Sequence, residues 1–362
     1  MLNSLLFYIK KYWYLYLIFS FISIPLLYAS TTKTNYSLTL NGDTVEFDRL
    51  VDVDTDYKQY GSFETIYVTT LDHSTKFLNF VSKFDKSIDK NKMTKAEIGY
   101  TPKDSNRIGK IQYASSINNA LILSYNEAKK DNSNINIDYS YLGYFITYKN
   151  PNCNLEIGDH LYGCKLINEN KEYFITDSDY KKAISKCRSG DIFYIQKYDS
   201  IDNYRIKSKS EIIEYVLQDC DFHYDNENLY RDFSYTESYD VNHETLIPSV
   251  SFGTTSVNGP SGGTLQALSI YNQLTEFDYT YGIKIAGTGT ININGMVGAI
   301  GGIKQKINTA IDNNIKIFFC PKANYSDALK TYNKNINRKR MKLIEVETFY
   351  DCINYLKEYK NV

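Results

Sequence analysis

Eighteen consecutive residues, Tyr12 to Ala29, carry no charge and are rich in Leu, Ile, Phe and Tyr. Such a run leaves a chain few options, because its length is near the lower limit for crossing the hydrocarbon core of a bilayer. Lys10 and Lys11 precede it and Lys33 follows closely. That modest asymmetry favours residues 1–11 as a cytoplasmic tail, 12–29 as a transmembrane helix and the remainder outside the cytoplasm. The rival reading is a cleaved signal peptide ending at the small pair Ala29-Ser30. Against it, Leu27 stands where a small residue is preferred, and the apolar stretch exceeds a usual signal core. A retained, single-pass anchor at the cell membrane is the expectation.

Beyond that run the chain reads as an ordinary globule. Its 362 residues include 41 basic and 42 acidic side chains, a formal net charge of −1. That balance excludes a nucleic-acid binder held by phosphate contacts. With 43% hydrophobic residues and only 6 Pro it is neither disordered nor fibrous, and its length suits two to three folded units. The 35 Tyr against 1 Trp, with abundant Asn, Lys and Ile, read as the codon bias of an AT-rich genome. Six cysteines form no CxxC pair, no Cys/His cluster has zinc spacing, and no HExxH occurs, so neither metal nor other cofactor is expected. Cys153 and Cys164 are spaced to close a small loop in an oxidising compartment.

Residues 30–130 form a first extracytoplasmic region. Phe63 to Thr70 is alternating and β-branched, a strand. A charged stretch from Lys83 to Lys110 reads as loop or irregular helix. Ser116 to Ala128 places Ile117, Ala120, Leu121, Ser124 and Ala128 on one helical face. Residues 135–200 then change to short strands and one helix. Ser140 to Ile146 is a strand interrupted by Gly143, Leu155 to Tyr162 places Gly158-Asp159 before another strand, Asp177 to Cys187 is a capped helix, and Ile192 to Ile195 closes the unit. This order resembles a PDZ domain of the bacterial protease-associated kind. The resemblance implies that Leu142, Gly143, Tyr144 and Phe145 take an extended peptide onto a sheet edge. Residues 206–240 carry no motif and read as a connector, and 241–362 alternate strands and helices with clear caps.

Chemistry concentrates in that last part. Gly259-Pro260-Ser261-Gly262-Gly263 puts a serine on a tight turn before Leu265, Leu268, Tyr271 and Leu274, which recur at helical spacing. Backbone N–H groups and the helix dipole can there stabilise an oxyanion. Alone, such a sequence is also a common turn. In the second segment, Gly298 to Ala310, the spacing of Ile303, Ile307, Ala310 and Ile311 starts a helix near Gly302. Lys304 and Lys306 lie in its first turn, where the dipole disfavours a cation. A lysine neutralised by dipole and burial can act as a general base; otherwise both are solvated surface residues.

Taken together, these segments resemble the proteolytic domain of the Lon family of Ser-Lys peptidases. The pieces in order are Gly259 to Gly263, Ile285 to Ile291, Gly295, Ile300 to Lys306, and Asn314 to Phe319 closed by Cys320 to Asn324. With the anchor and the PDZ-like unit, the chain is most similar to membrane-anchored Lon-like proteases of Gram-positive bacteria. The resemblance implies an α+β fold, a polypeptide substrate, Ser261 as nucleophile and Lys306, 45 positions on, as base. Thr288 matches the family's active-site threonine, whose hydroxyl can hold the lysine, while Gly259, Pro260 and Gly262 shape the turn. Lys304 is then a bystander. No Walker A pattern occurs, so no nucleotide is expected, and homo-oligomeric rings are expected from the family alone. Phe63 to Thr70 and Ser116 to Ala128 resemble the first strand and first long helix of such a domain, which would make the PDZ-like unit an insertion. Two departures, Gly262 for the usual Ala and Asn258 for a frequent acid, motivate the alternative of a peptide-binding protein on a protease scaffold.

Overall fold

The computed structural model describes residues 2–202, 204–225, 228–254 and 258–359. Helix α1 (Leu2–Thr31) leads into strands β1 (Tyr36–Glu46), β2 (Val51–Val53) and β3 (Ser62–Leu71). Helix α2 (Lys76–Val81), strand β4 (Asp89–Lys92) and helices α3 (Lys95–Gly99) and α4 (Pro102–Ala128) follow. A middle segment holds β5 (Tyr139–Lys149), β6 (His160–Leu166), β7 (Lys171–Phe174), α5 (Tyr180–Lys186) and β8 (Ile192–Asp202). It ends with β9 (Arg205–Val216), β10 (Phe222–Asp225), β11 (Asn228–Arg231) and β12 (Phe233–Val241). The last part comprises β13 (Val250–Phe252), α6 (Gly263–Gln273), β14 (Lys284–Gly287), β15 (Thr290–Ile291) and β16 (Val297–Gly298). It closes with α7 (Ile303–Asp312), β17 (Ile317–Pro321), α8 (Lys322–Lys334), β18 (Lys342–Val346) and α9 (Phe349–Glu358).

One sheet has the order β18-β17-β14-β3-β1-β4. Its centre is parallel, β3 beside β14, β14 beside β17 and β17 beside β18, while β1 runs antiparallel to β3 and to β4. Strands from before and after residues 135–241 therefore share a single sheet. A parallel centre requires both faces to be covered, and the period of two along each strand supplies both. Phe63, Ile285, Ile317 and Phe319 pack with α4, α6 and α9, whereas Ile66, Ala286, Phe318 and Cys320 pack with α7 and α8.

Helix α4 begins far earlier than its apolar face suggested. Thr101 and Asp104 form a reciprocal capping box around Pro102 at the first helical position, a start signal hidden inside the charged stretch. Its exposed first turns hold few apolar residues, so the 3.6-residue pattern emerges only at Ile111.

The second sheet has the order β12-β5-β6-β8-β9, with β7 on β6, and all its pairings are antiparallel. Residues 206–240 are thus not a connector, because they supply β9 and β12. Edge strand β9 is mostly exposed, which removes the apolar alternation that marks a strand. On β12, Glu237 is engaged by Lys181 and Asp240 by Arg205. Gly158-Asp159 stands directly before a strand, β6, as its sequence suggests. A further correction concerns Leu142, Gly143, Tyr144 and Phe145. They lie on β5, an interior strand: Tyr144 and Phe145 pair with Glu237 and Thr236 on one side and with Leu161 and His160 on the other. Tyr144 and Phe145, paired on both edges, cannot add a peptide there.

All six cysteines are free thiols, so Cys153 and Cys164 close no loop. Among the described residues no helix is long and apolar enough to cross a membrane. The spanning helix expected over 12–29 is therefore not shown. The run lies instead within the continuous helix α1, on which Trp13, Leu17, Phe21 and Leu27 are exposed.

Candidate active site

The serine turn is built on backbone that only small residues allow. Gly259 has φ +88°, a left-handed conformation suited to glycine. Its N–H donates to the Gly109 carbonyl of α4 at 3.1 Å, and the Gly263 N–H closes the turn onto the Pro260 carbonyl at 3.2 Å. Ser116 of α4 donates to Gln266 Oε1 at 2.8 Å and approaches the Pro260 carbonyl at 3.4 Å. Helix α4 thus backs the turn, and Gly262 caps α6, placing Ser261 beside the helix N-terminus. Val257, two positions before Gly259, lies outside the described residues. Gly262 also has a steric reason. A Cβ there would come 2.8 Å from Thr65 Oγ1 and 3.3 Å from Gln266 Nε2.

Lys306 reaches the serine from the opposite face of the sheet's centre. Helix α7 starts at Gly302, whose φ is +70°. Ile303, Ile307, Ala310 and Ile311 are buried, as their spacing predicts, and fix the rotation of the helix. That rotation buries Lys306, which is 1% exposed, and points it at β3. Its Nζ donates to the Ile66 carbonyl at 2.5 Å and lies 3.1 Å from Ser261 Oγ. Burial lowers the lysine's pKa from 10.5 to about 8, because a low-dielectric site penalises the charged form. Lys304 points outward and pairs with Asp89 at 2.5 Å. The two lysines of the motif are therefore separated into a buried one against the serine and a half-exposed one in an ion pair.

Thr288 is fully buried beside the serine, but it does not hold the lysine. Its hydroxyl donates to the Ser261 carbonyl at 2.9 Å, and the Gly289 N–H donates to the same oxygen at 2.8 Å. The threonine orients the serine backbone instead. Sequence reasoning also missed Ile66, Thr65, Ser116 and Gln266. Ile66 acts through its carbonyl, which every residue has, so no sequence signal for it exists. Ser116 and Gln266 lie on helices whose apolar faces drew the attention, and only tertiary contact pairs them.

A cleft of about 780 Å³ opens at Ser261. Ile66, Tyr67, Val68 and Thr69 form one wall, with Asn106 and Tyr113 of α4 on it as well. Strand β3 pairs with β14 only through Thr65, while β1 covers its other side as far as Leu71. Beyond Thr65 that strand therefore presents an edge not taken up by β14. Leu142, Gly143, Tyr144 and Phe145 are not part of the cleft lining. Among the described residues no group of three His, Cys, Asp or Glu is placed to hold a metal ion.

Residues 231–357 match the family model of the Lon protease (S16) C-terminal proteolytic domain. The Lon protease of Campylobacter jejuni is 34% identical over 103 residues, 28% of this chain and 13% of that protein. That of Mesomycoplasma hyopneumoniae is 38% identical over 87 residues, 24% of this chain and 10% of that protein. The Metamycoplasma arthritidis Lon protease is 29% identical over 125 residues, 34% of this chain and 14% of that protein. The chain thus spans only 10–14% of the length of these relatives. Residues 231–357 are thus similar to a Lon-type proteolytic domain. The matched region includes Ser261, Thr288 and Lys306 but not β3 or α4, which complete the site's walls.

Proposed function

We propose that this protein is a serine endopeptidase in which Ser261 is the nucleophile and Lys306 the general base, held at a membrane by α1. The observation that carries the reading is the 3.1 Å approach of Ser261 Oγ to a buried lysine whose pKa is lowered to about 8. Neutral Lys306 takes the serine proton as Oγ attacks a peptide carbonyl, and the lysine then protonates the leaving amine. The positive end of the α6 dipole, beside Ser261, favours the developing oxyanion, and Thr288 and Gly289 keep the serine's backbone in place. Water hydrolyses the acyl-enzyme. The edge of β3 beyond Thr65 suits an extended backbone, so the substrate is an unfolded or loosely folded polypeptide, and no nucleotide is required. The segment 135–241 is an insertion within the proteolytic fold, a reading supported by the pairing of β3 with β14. Gly262, which motivated a non-cutting peptide binder, is accounted for by Thr65 occupying the space of a methyl group. Anchoring by α1 is supported by its exposed apolar side chains and by Lys10 and Lys11 at the foot of the apolar run.

An unfolded protein incubated without ATP tests the chemistry. Cleavage by the parent and by Lys304→Ala, with none by Ser261→Ala or Lys306→Ala, is the expected result. Equal cleavage by all four, or none by the parent, refutes it. Recovery of the expressed chain in the membrane fraction, lost when residues 2–31 are deleted, is the corresponding test of α1.

A further inference from the structure

Where α1 ends, the chain builds a small aromatic and basic platform that the proteolytic chemistry does not use. Lys76 N–H donates to the Thr32 carbonyl at 3.0 Å, and Thr34 N–H to the Ser74 carbonyl at 3.0 Å, so α2 is stapled to the foot of α1. Lys76 Nζ also donates to Tyr28 Oη at 2.9 Å. Three phenylalanines of this platform point into solvent, Phe77, Phe80 at 57% exposed and Phe84 at 75%, with Leu78 and Val81 of α2 exposed beside them. Phe80 and Phe84 meet edge to face, with centroids 5.2 Å apart, which holds them as a unit rather than as separate chains. Beside them is a cleft of about 230 Å³ lined by Lys76, Lys83 and Lys90 together with Thr34, Tyr36 and Phe80. Among the described residues no carboxylate lines it. The neighbouring acids are engaged elsewhere, Asp89 with Lys304 and Asp85 with the backbone and hydroxyl of Ser87.

We propose that this platform is a headgroup site for an anionic phospholipid, with Lys76, Lys83 and Lys90 on the phosphate and Phe77, Phe80 and Phe84 in the bilayer interface. The inference rests on α1 as the membrane helix, and adds to it a second contact and a lipid class. Exposed aromatic side chains flanked by lysines are stable where hydrocarbon meets headgroups, and less so in bulk water. Their position at the end of α1 sets them at the depth where such an interface would lie. Three converging cations with no acid among them complement a negative surface, each worth roughly a fivefold gain in population at an anionic leaflet.

The full chain carries its own control, because Trp13 on α1 is its only tryptophan. Trp13 emission reports α1, and Phe84→Trp in a Trp13→Phe background reports the platform. The probes are vesicles of phosphatidylcholine alone or mixed with phosphatidylglycerol. Trp13 is expected to shift blue in both. The tryptophan of Phe84→Trp is expected to shift only with phosphatidylglycerol, and to revert in high salt. Adding Lys83→Gln and Lys90→Gln lowers the ratio of inserted to free platform about 30-fold, and arginine at both positions restores it. A Trp13 shift without any Phe84→Trp shift overturns this proposal and leaves α1 as an anchor. Equal Phe84→Trp shifts on both vesicles, or a full shift in the double glutamine variant, overturn it too. No shift of either reporter overturns the anchor reading as well.

Discussion

Lys306 makes two demands that can be measured separately, one on catalysis and one on stability. Burial lowers its pKa from 10.5 to about 8. Between those values the unfolded chain keeps a proton that the folded chain has lost. Stability then rises with pH across the interval, because the unfolded state binds more protons there. Below about pH 8 the folded protein carries the whole cost of the buried amine, and above pH 10.5 it carries none. Each pH unit corresponds to about 1.4 kcal/mol, so the interval amounts to about 3 kcal/mol. Urea unfolding of Ser261→Ala, compared with Ser261→Ala/Lys306→Met from pH 7 to 11, isolates this cost, since the many tyrosines titrate equally in both. The lysine-containing protein is expected to gain about 3 kcal/mol on its methionine counterpart as pH rises. Parallel curves would refute the buried, depressed lysine, whatever the activity assays show. On the proposed mechanism the same group sets the rate: kcat/KM is expected to rise about tenfold per pH unit below pH 8 and to level off above it. A profile flat from pH 6 to 9 would remove Lys306 as the base.

Two further substitutions test the walls of the site. Gly262→Ala pushes a methyl group toward Thr65 Oγ1 and is expected to cut kcat/KM about tenfold, and Gly262→Ala/Thr65→Ala restores most of it; additive losses in the double-mutant cycle would show that the two do not meet. Thr288→Val removes the hydroxyl from the Ser261 carbonyl and is expected to lower kcat about tenfold while leaving the pH midpoint in place. A midpoint shifted by a full unit would mean that the threonine acts on Lys306 after all.

The site was legible in sequence where backbone demands and helical period coincide. Gly259-Pro260-Ser261 announced a turn because glycine at φ +88° is nearly obligatory there, whereas the choice of Lys306 over Lys304 came from the resemblance to Lon-type domains and not from the isoleucine spacing. The partner of Thr288 was not legible, because its contact depends on how 287–290 crosses the serine turn. There Gly289 takes φ +138°, and a Cβ would come 2.6 Å from both Thr264 Oγ1 and Val297 Cγ1. Strands β9 and β12 escaped for a different reason: an exposed edge strand shows no alternation, and Glu237 and Asp240 are tolerated because Lys181 and Arg205 neutralise them. Peptide capture at residues 142–145 failed because edge or interior position is a property of the whole sheet, and it was β12, hidden in the supposed connector, that closed the edge.

This arrangement also explains why the Ser-Lys pair cannot be understood from residues 231–357 alone. Lys306 is buried, and its pKa lowered, because β3 supplies the wall against which α7 packs, while the Ile66 carbonyl holds its Nζ in place. The serine turn keeps its shape because α4 accepts the Gly259 N–H and presents Ser116 to Gln266. Both elements precede the second sheet in sequence, and α4 packs against that sheet through Ile111, Ala114, Phe145 and Ile206. The second sheet is thus joined to the helix on which the serine turn rests.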